Sequence, residues 1–173
     1  MKKISTYFSI FSLFFLINSC FPGDPDCGGC STLVENLVRI TPIQSQFQVN
    51  DTLNITAVLP SQNNCSGTDL NIFALTSNTR AEFIFGDGFR LIGDQELIIR
   101  KGERDGNNFV AIYDPICDCY EFEADLVLSD AKVYNVILTN LFDVKDDGCD
   151  LYSVETSAPW INFPNQIEFE LVP

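Results

Sequence analysis

Apolar and polar residues alternate at every second position through much of the chain. The longest alternating run covers residues 120–128, and the last one covers residues 167–171. The polar positions of the long run are acidic: Glu121, Glu123 and Asp125. Successive side chains of a strand point to opposite faces of a sheet, so this period is typical of antiparallel strands with one buried and one solvated face.

Shorter runs of the same kind predict the remaining strands, with turn-forming residues between them. These strands are expected around Phe47 and Val49 and over residues 53–59, 70–75, 81–85, 96–101, 108–113 and 132–141. Short strands separated by frequent turn signals predict one all-β domain over residues 32–173, a single antiparallel β-sandwich of immunoglobulin-like or jelly-roll-like form.

The start of this domain can be interpreted in two ways. Thr32 and Glu35 have the spacing of a capping box, which would begin a short helix. Residues 37–40 could equally begin the first strand.

Residues 1–19 have the pattern of a secretory signal peptide. Lys2 and Lys3 precede an apolar stretch over residues 4–17. That stretch is shorter than the roughly 20 residues that a transmembrane helix needs. A positive front followed by a short apolar segment is instead typical of an export signal.

The stretch ends in Ile17-Asn18-Ser19-Cys20, which resembles the lipobox of bacterial lipoproteins. The resemblance implies cleavage after residue 19, lipidation of the Cys20 thiol, and anchorage of the chain in a lipid bilayer. Residues 20–31 would then be the lipidated cysteine and a tether rich in Pro, Gly, Asp and Cys. The alternative is an ordinary signal peptide, with Cys20 as one more disulfide partner.

The first third of the chain resembles small Bacteroidota-type outer-membrane and cell-surface lipoproteins. Asp24 and Asp26 follow the lipobox closely, as surface-export signals do in such proteins, and Phe21 argues against retention in the inner membrane. Asp51-Thr52-Leu53 is similar to their O-glycosylation motif, with Thr52 as the acceptor. The resemblance implies an outer-membrane location, periplasmic or surface-exposed, and no particular activity.

Charge and composition exclude several classes of function. The net charge is −14, which repels the phosphates of nucleic acids and makes them unexpected partners. The chain contains no histidine, so histidine bases, Ser-His-Asp triads and histidine zinc sites are excluded. We therefore expect no enzymatic activity, but a binding or structural role with an envelope protein or a glycan as partner.

Six further cysteines in an exported domain predict three disulfides, with the pairing left open. They are Cys27, Cys30, Cys65, Cys117, Cys119 and Cys149. Cys117 and Cys119 would point the same way on a strand, so separate partners are expected for them. Cys27 and Cys30 could pair locally, as in a redox motif, or could each tie the N-terminal segment to the sheet. A zinc site of Cys27, Cys30, Cys117 and Cys119 is a further alternative.

Two acidic groups are candidates for chemistry. Asp143, Asp147 and Asp150 could bind Ca²⁺ in a loop, although the EF-hand pattern fails, and the alternative is a solvated hairpin tip. Such a site would suit a Ca²⁺-dependent glycan-binding module.

The acidic row on the long strand could supply the acid and base of a glycan hydrolase through Glu121 and Glu123. The alternative is an ordinary solvent-facing surface. Trp160 could stack on a sugar ring or pack within the domain.

Overall fold

The computed structural model describes residues 29–84, 97–106, 108–129, 133–137, 140–145, 151–157 and 166–173. Within these ranges the chain forms strands and one short helix, α1 (Ile72–Thr76). The strands are β1 (Cys30–Leu33), β2 (Val38–Thr41), β3 (Gln46–Gln48), β4 (Thr52–Pro60), β5 (Gln62–Cys65), β6 (Thr68–Asn71), β7 (Arg80–Ile84), β8 (Leu97–Lys101), β9 (Glu103–Asp105), β10 (Asn108–Asp114), β11 (Cys119–Val127), β12 (Val133–Ile137), β13 (Asn140–Lys145), β14 (Leu151–Thr156) and β15 (Gln166–Val172).

One large sheet carries most of these strands, in the order β1-β14-β13-β7-β10-β11-β4-β2. In addition, β8 pairs with β11 and β9 pairs with β10. A second sheet has the order β12-β15-β3, and β5 and β6 form a separate hairpin. The described pairings are antiparallel except β1 with β14 and β3 with β15, which are parallel.

The large sheet curls at strand β11. One edge of β11 pairs with β4 along its whole length, while the other edge pairs first with β10 and then with β8. Gly102, which has a φ of 89°, lies between β8, which pairs with β11, and β9, which pairs with β10. A β-carbon there would lie 2.5 Å from the Val110 carbonyl oxygen and 2.7 Å from the Phe122 ring. The close approach and the left-handed backbone together require glycine.

The two halves of the curled sheet enclose one hydrophobic core. The ring of Phe122, on β11, lies 4.9 Å from that of Phe83 on β7 and 5.2 Å from that of Phe109 on β10. The apolar positions of the long alternating run are all buried: Tyr120, Phe122, Ala124, Leu126 and Leu128. The prediction of an all-β, sandwich-like domain is confirmed.

Two predicted strands are wrong in detail. Residues 70–75 were expected to be one strand, but β6 ends at Asn71 and α1 follows. The Asn71 side chain accepts a hydrogen bond from the Ala74 amide at 2.7 Å, and Ser77 ends the helix in a left-handed conformation. Residues 132–141, also expected to be one strand, contain β12 and the start of β13, which belong to different sheets.

The first strand begins earlier than the sequence suggests. Residues 30–33 form β1, which pairs with β14, so the capping-box helix at Thr32 is not formed. The alternative strand over residues 37–40 corresponds to β2. Cys30 therefore lies in the sheet, although it was assigned to the tether.

Two disulfides lie within the described residues. Cys30 pairs with Cys65 and joins β1 to the β5–β6 hairpin across 35 positions of sequence. Cys30 therefore neither pairs with Cys27 nor belongs to a zinc site of four cysteines, and both of these alternatives are wrong. Cys27 and Cys149 lie outside the described residues.

The second disulfide joins Cys117 to Cys119, which contradicts the expectation of separate partners. That expectation placed both residues on an extended strand. Cys117 instead lies in the turn before β11, and Asp118 has a φ of 51°. This left-handed residue brings the two α-carbons to 5.2 Å, within the usual range for a disulfide.

Candidate functional site

The best-defined polar cluster surrounds the turn at residues 115–118, which joins β10 to β11 and is called the Asp118 turn below. The Asp118 carboxylate accepts hydrogen bonds from the Ser61 hydroxyl, from the Tyr113 hydroxyl at 2.8 Å and from the Asn71 side-chain amide at 3.3 Å. The Asp118 carbonyl oxygen also accepts from the Ser61 backbone amide at 3.0 Å. Aspartate tolerates the left-handed region better than most residues, and these contacts hold it there.

These hydrogen bonds set the charge state of the cluster. Donation from Ser61, and then from Tyr113 and Asn71, lowers the pKa of the Asp118 carboxyl below its ordinary value of 3.8. The hydrogen bond from Tyr113 to Asp118 also raises the pKa of the Tyr113 hydroxyl, because losing the proton would place a second negative charge beside Asp118. Asp118 is therefore an anion at neutral pH.

Aromatic side chains support the cluster from the core side. The Phe73 ring of α1 stacks on the Tyr113 ring with centroids 3.7 Å apart, and Tyr113 packs edge-on against Tyr120 at 5.4 Å. The Tyr120 hydroxyl donates to the Asn78 carbonyl oxygen at 2.8 Å. Burial raises the pKa of Tyr120 to about 12, so it stays neutral. The stacking of Phe73 on Tyr113 thus links α1 to the cluster around Asp118.

Asn71 connects the helix to the turn. Its side-chain oxygen accepts from the Ala74 amide, and its side-chain nitrogen donates to Asp118. One residue therefore caps α1 and contributes to the site.

The disulfide of the turn is unequally exposed. Cys117 is exposed, whereas Cys119 is only 5% exposed at the start of β11. The two sulfurs and a carboxylate oxygen of Glu121 all lie within 4.8 Å of one another. In the disulfide the sulfurs carry no charge, so this group is not a metal site in the oxidised protein.

The acidic row of β11 shares one face, as predicted, but basic side chains cover part of it. Asp125 is bound by Arg100 and accepts from the Asn54 side-chain amide at 3.0 Å. The hydrogen bond from Asn54, followed by that from Arg100, lowers the pKa of Asp125. These contacts fix the side chain of Asp125 on the sheet.

Glu121 is paired in a similar way. It accepts from the Lys101 ammonium at 2.7 Å, and this bond raises the pKa of Lys101. These bonds tie β8 to β11. Glu121 and Asp125 therefore hold the two strands together, and the hydrolase role of the row stays a prediction.

A small pocket lies beside the other disulfide. Its walls include Cys30, Cys65, Ile72, Tyr152 and Ser153. The described residues that line it include no carboxylate.

Several predicted site residues lie outside the described residues: Cys20, Asp147, Asp150 and Trp160. Asp143 lies on β13 and accepts a hydrogen bond from the Ser153 hydroxyl of β14 at 2.7 Å. Thr52 is exposed at the first position of β4, directly after a turn in which Asp51 accepts from the Gln48 amide. The calcium site and the glycosylation site stay predictions.

The sequence does not reveal the Asp118 cluster, because two of its members, Ser61 and Asn71, lie 57 and 47 positions from Asp118 in the chain. The one local signal is an Asp between two cysteines just after Pro115, a composition typical of turns.

Comparison of the chain with protein-family models, with curated proteins and with solved structures finds no significant match. Within the described part of the chain, no helix has the length and apolar character that crossing a bilayer would require.

Proposed function

We propose that this chain is a lipid-anchored lipoprotein of the bacterial cell envelope whose β domain acts by non-catalytic binding or structural association. The observation that carries the proposal is the sequence Ile17-Asn18-Ser19-Cys20 at the end of a short apolar segment. A cysteine placed directly after such a segment is the acceptor that lipid transfer requires.

The disulfides support export of the domain. Disulfides persist in oxidising compartments and are rare in the cytosol. Cys30–Cys65 joins elements far apart in the chain, so it contributes to the fold itself. A domain stabilised in this way fits the periplasm or the cell surface.

The acidic surface supports a binding or structural role. Glu121 and Asp125, two of the three carboxylates of the acidic row, are engaged by Lys101 and Arg100. The net charge of −14 keeps a membrane-tethered domain soluble and away from anionic surfaces. The partner would be an envelope protein or a glycan, and the location the outer membrane.

Metabolic labelling with palmitate tests the anchor. We expect label in the wild-type chain and in the matched control Ser19→Ala, which keeps a small residue before the cysteine, and no label in Cys20→Ser. Label retained in Cys20→Ser, or an unlabelled wild-type chain that is cleaved and secreted, would overturn the proposal in favour of an ordinary signal peptide.

A further inference from the structure

We propose that the Cys117–Cys119 disulfide is a thiol–disulfide exchange site. Cys117 is the sulfur that an incoming thiolate attacks, and Cys119 is the sulfur that leaves and later restores the bond. The co-reactant is a neutral or cationic thiol. This inference goes beyond the proposed anchor and does not depend on it.

The first argument is unequal access. Cys117 is exposed in the Asp118 turn, beside Ile116, which is 94% exposed. Cys119 is 5% exposed. Since exchange requires direct approach of a thiolate to a sulfur, attack is directed to Cys117.

The second argument is the small stabilisation that this bond gives the fold. It joins residues two positions apart, whereas Cys30–Cys65 joins residues 35 positions apart. A disulfide removes less entropy from the unfolded chain when it closes a shorter loop. Breaking Cys117–Cys119 therefore costs the fold less stability, so the domain stays folded while this bond is open.

The third argument is that the turn does not rely on the disulfide. Asp118, between the two cysteines, is held by Ser61, Asn71 and Tyr113 through its side chain and by the Ser61 amide through its carbonyl oxygen. These contacts remain after reduction. They keep the two thiols close together, so the bond can re-form within one molecule.

The exchange is balanced as follows. An incoming thiolate forms a bond to the Cys117 sulfur, and the Cys117–Cys119 bond breaks with its electron pair leaving on Cys119. A second thiolate of the co-reactant can then attack the mixed disulfide, which releases the oxidised co-reactant and leaves two reduced cysteines. In the reverse direction, the Cys119 thiolate attacks the mixed disulfide and expels the first thiolate.

Charge selects the co-reactant. Asp114 and Asp118 flank the site, and the charge of nearby Lys101 is matched by Glu121. The net charge of the whole chain is −14. Anionic thiols are repelled from such a surface and cationic ones are attracted to it, more strongly at low salt.

The main test is a dithiothreitol titration of the full chain in detergent, followed by alkylation and mass spectrometry of each cysteine peptide. At a fixed, short reaction time we expect Cys117 and Cys119 to be alkylated at about tenfold or more lower dithiothreitol than Cys30 and Cys65, because Cys117 is exposed and Cys30 and Cys65 are half-buried. Alkylation of both pairs over the same range, or of Cys30 and Cys65 first, would overturn the proposal.

Two variants test the direction of attack and the charge preference. Cys119→Ser leaves Cys117 as a thiol, and Cys117→Ser is the matched control that leaves Cys119. We expect Cys119→Ser to form mixed disulfides quickly with cystamine, more slowly with 2-hydroxyethyl disulfide and slowest with dithiodipropionate, with the differences shrinking at high salt. Equal reaction of the control, or a reversed order, would contradict the proposed site.

A further probe separates the two sources of the thiol. It is the disulfide-linked dimer of a cysteine peptide with lysines on both sides of the cysteine. If Cys119→Ser reacts faster with this dimer than with cystamine, the natural thiol is assigned to a polypeptide, and if it reacts more slowly, to a small molecule.

Discussion

The two described disulfides lie in regions that are built in opposite ways. Cys30–Cys65 joins the first strand of the large sheet to a hairpin and helps to line a pocket with Ile72 and Tyr152. Cys117–Cys119 closes a three-residue turn at the surface, where hydrogen bonds to Asp118 already fix the backbone. The first bond connects elements that are far apart in the chain, and the second is added to a turn that hydrogen bonds already hold.

The difference shows that a cysteine pair cannot be assigned a role from its presence alone. The value of a disulfide for stability depends on the length of chain that it closes, and its reactivity depends on access. In this chain the two properties separate: one bond closes a long loop, and the other is exposed.

The largest expected effect comes from removing each bond in turn. The double variant Cys30→Ala/Cys65→Ala should lose about 3–4 kcal/mol of unfolding free energy, because it releases a loop of some 35 residues. The matched double variant Cys117→Ala/Cys119→Ala should lose only about 1–2 kcal/mol. Guanidinium denaturation of both measures the difference, and equal losses would break the comparison.

The next effect concerns the hydrogen bonds that support the Asp118 turn. Asn71→Ala removes the cap of α1 and a donor to Asp118, so it should cost about 1 kcal/mol. Asn64→Ala is the control, since Asn64 makes the same kinds of bonds in the exposed β5–β6 hairpin, and it should change stability by no more than about 0.5 kcal/mol.

The same pair of variants checks whether the turn holds the thiols together. After reduction and removal of reductant, Asn71→Ala should re-form the Cys117–Cys119 bond more slowly than Asn64→Ala. Identical rates would show that the hydrogen bond from Asn71 does not position the cysteines.

A pH series isolates the carboxylate of the turn. The pKa of Asp118 is lowered in the folded state, so its contribution to stability is present above the ordinary value of 3.8 and is lost as the pH falls through the lower, folded value. Asp118→Asn removes this contribution. The difference in unfolding free energy between wild type and variant should therefore shrink as the pH is lowered from about 5 through the folded pKa. A difference that does not change with pH would contradict the assignment.

The smallest effect concerns the cation beside the turn. Lys101→Met removes an exposed ion pair with Glu121, and it should change the unfolding free energy by less than about 0.5 kcal/mol. In the Cys119→Ser background it should nevertheless raise the ratio of cystamine to dithiodipropionate reaction rates, because Glu121 loses its counter-charge. Arg39→Met, on β2, changes the net charge equally and should leave the ratio nearer its starting value.

The alternating pattern was sufficient to predict the fold class and most strands. Phe122 and Leu126 are buried as the alternation predicts, whereas Asp125, at an acidic position, is also buried where Asn54 and Arg100 bind it. The pattern failed at residues 72–76, where the cap from Asn71 and the contact between Phe73 and Tyr113 decide for a helix. The alternation of apolar and polar residues does not reveal either interaction.

The Asp118 cluster could not be predicted for a related reason. Tyr113 lies near Asp118 in the chain, but Ser61 and Asn71 come from the segments around β5 and β6, and only the folded chain brings them to Asp118. The Cys117–Cys119 pairing depends on the left-handed backbone of one residue, which alternation does not reveal. Sequence periodicity predicts which face of a strand is buried, but not which loops meet at its ends.

The position of Cys30 has a mechanical consequence. It is the first residue of β1, an outer strand of the large sheet. A tensile load applied from residues before Cys30 would otherwise peel β1 from β14. The covalent link to Cys65 would carry such a load directly into the β5–β6 hairpin, so the load would bypass the hydrogen bonds between β1 and β14.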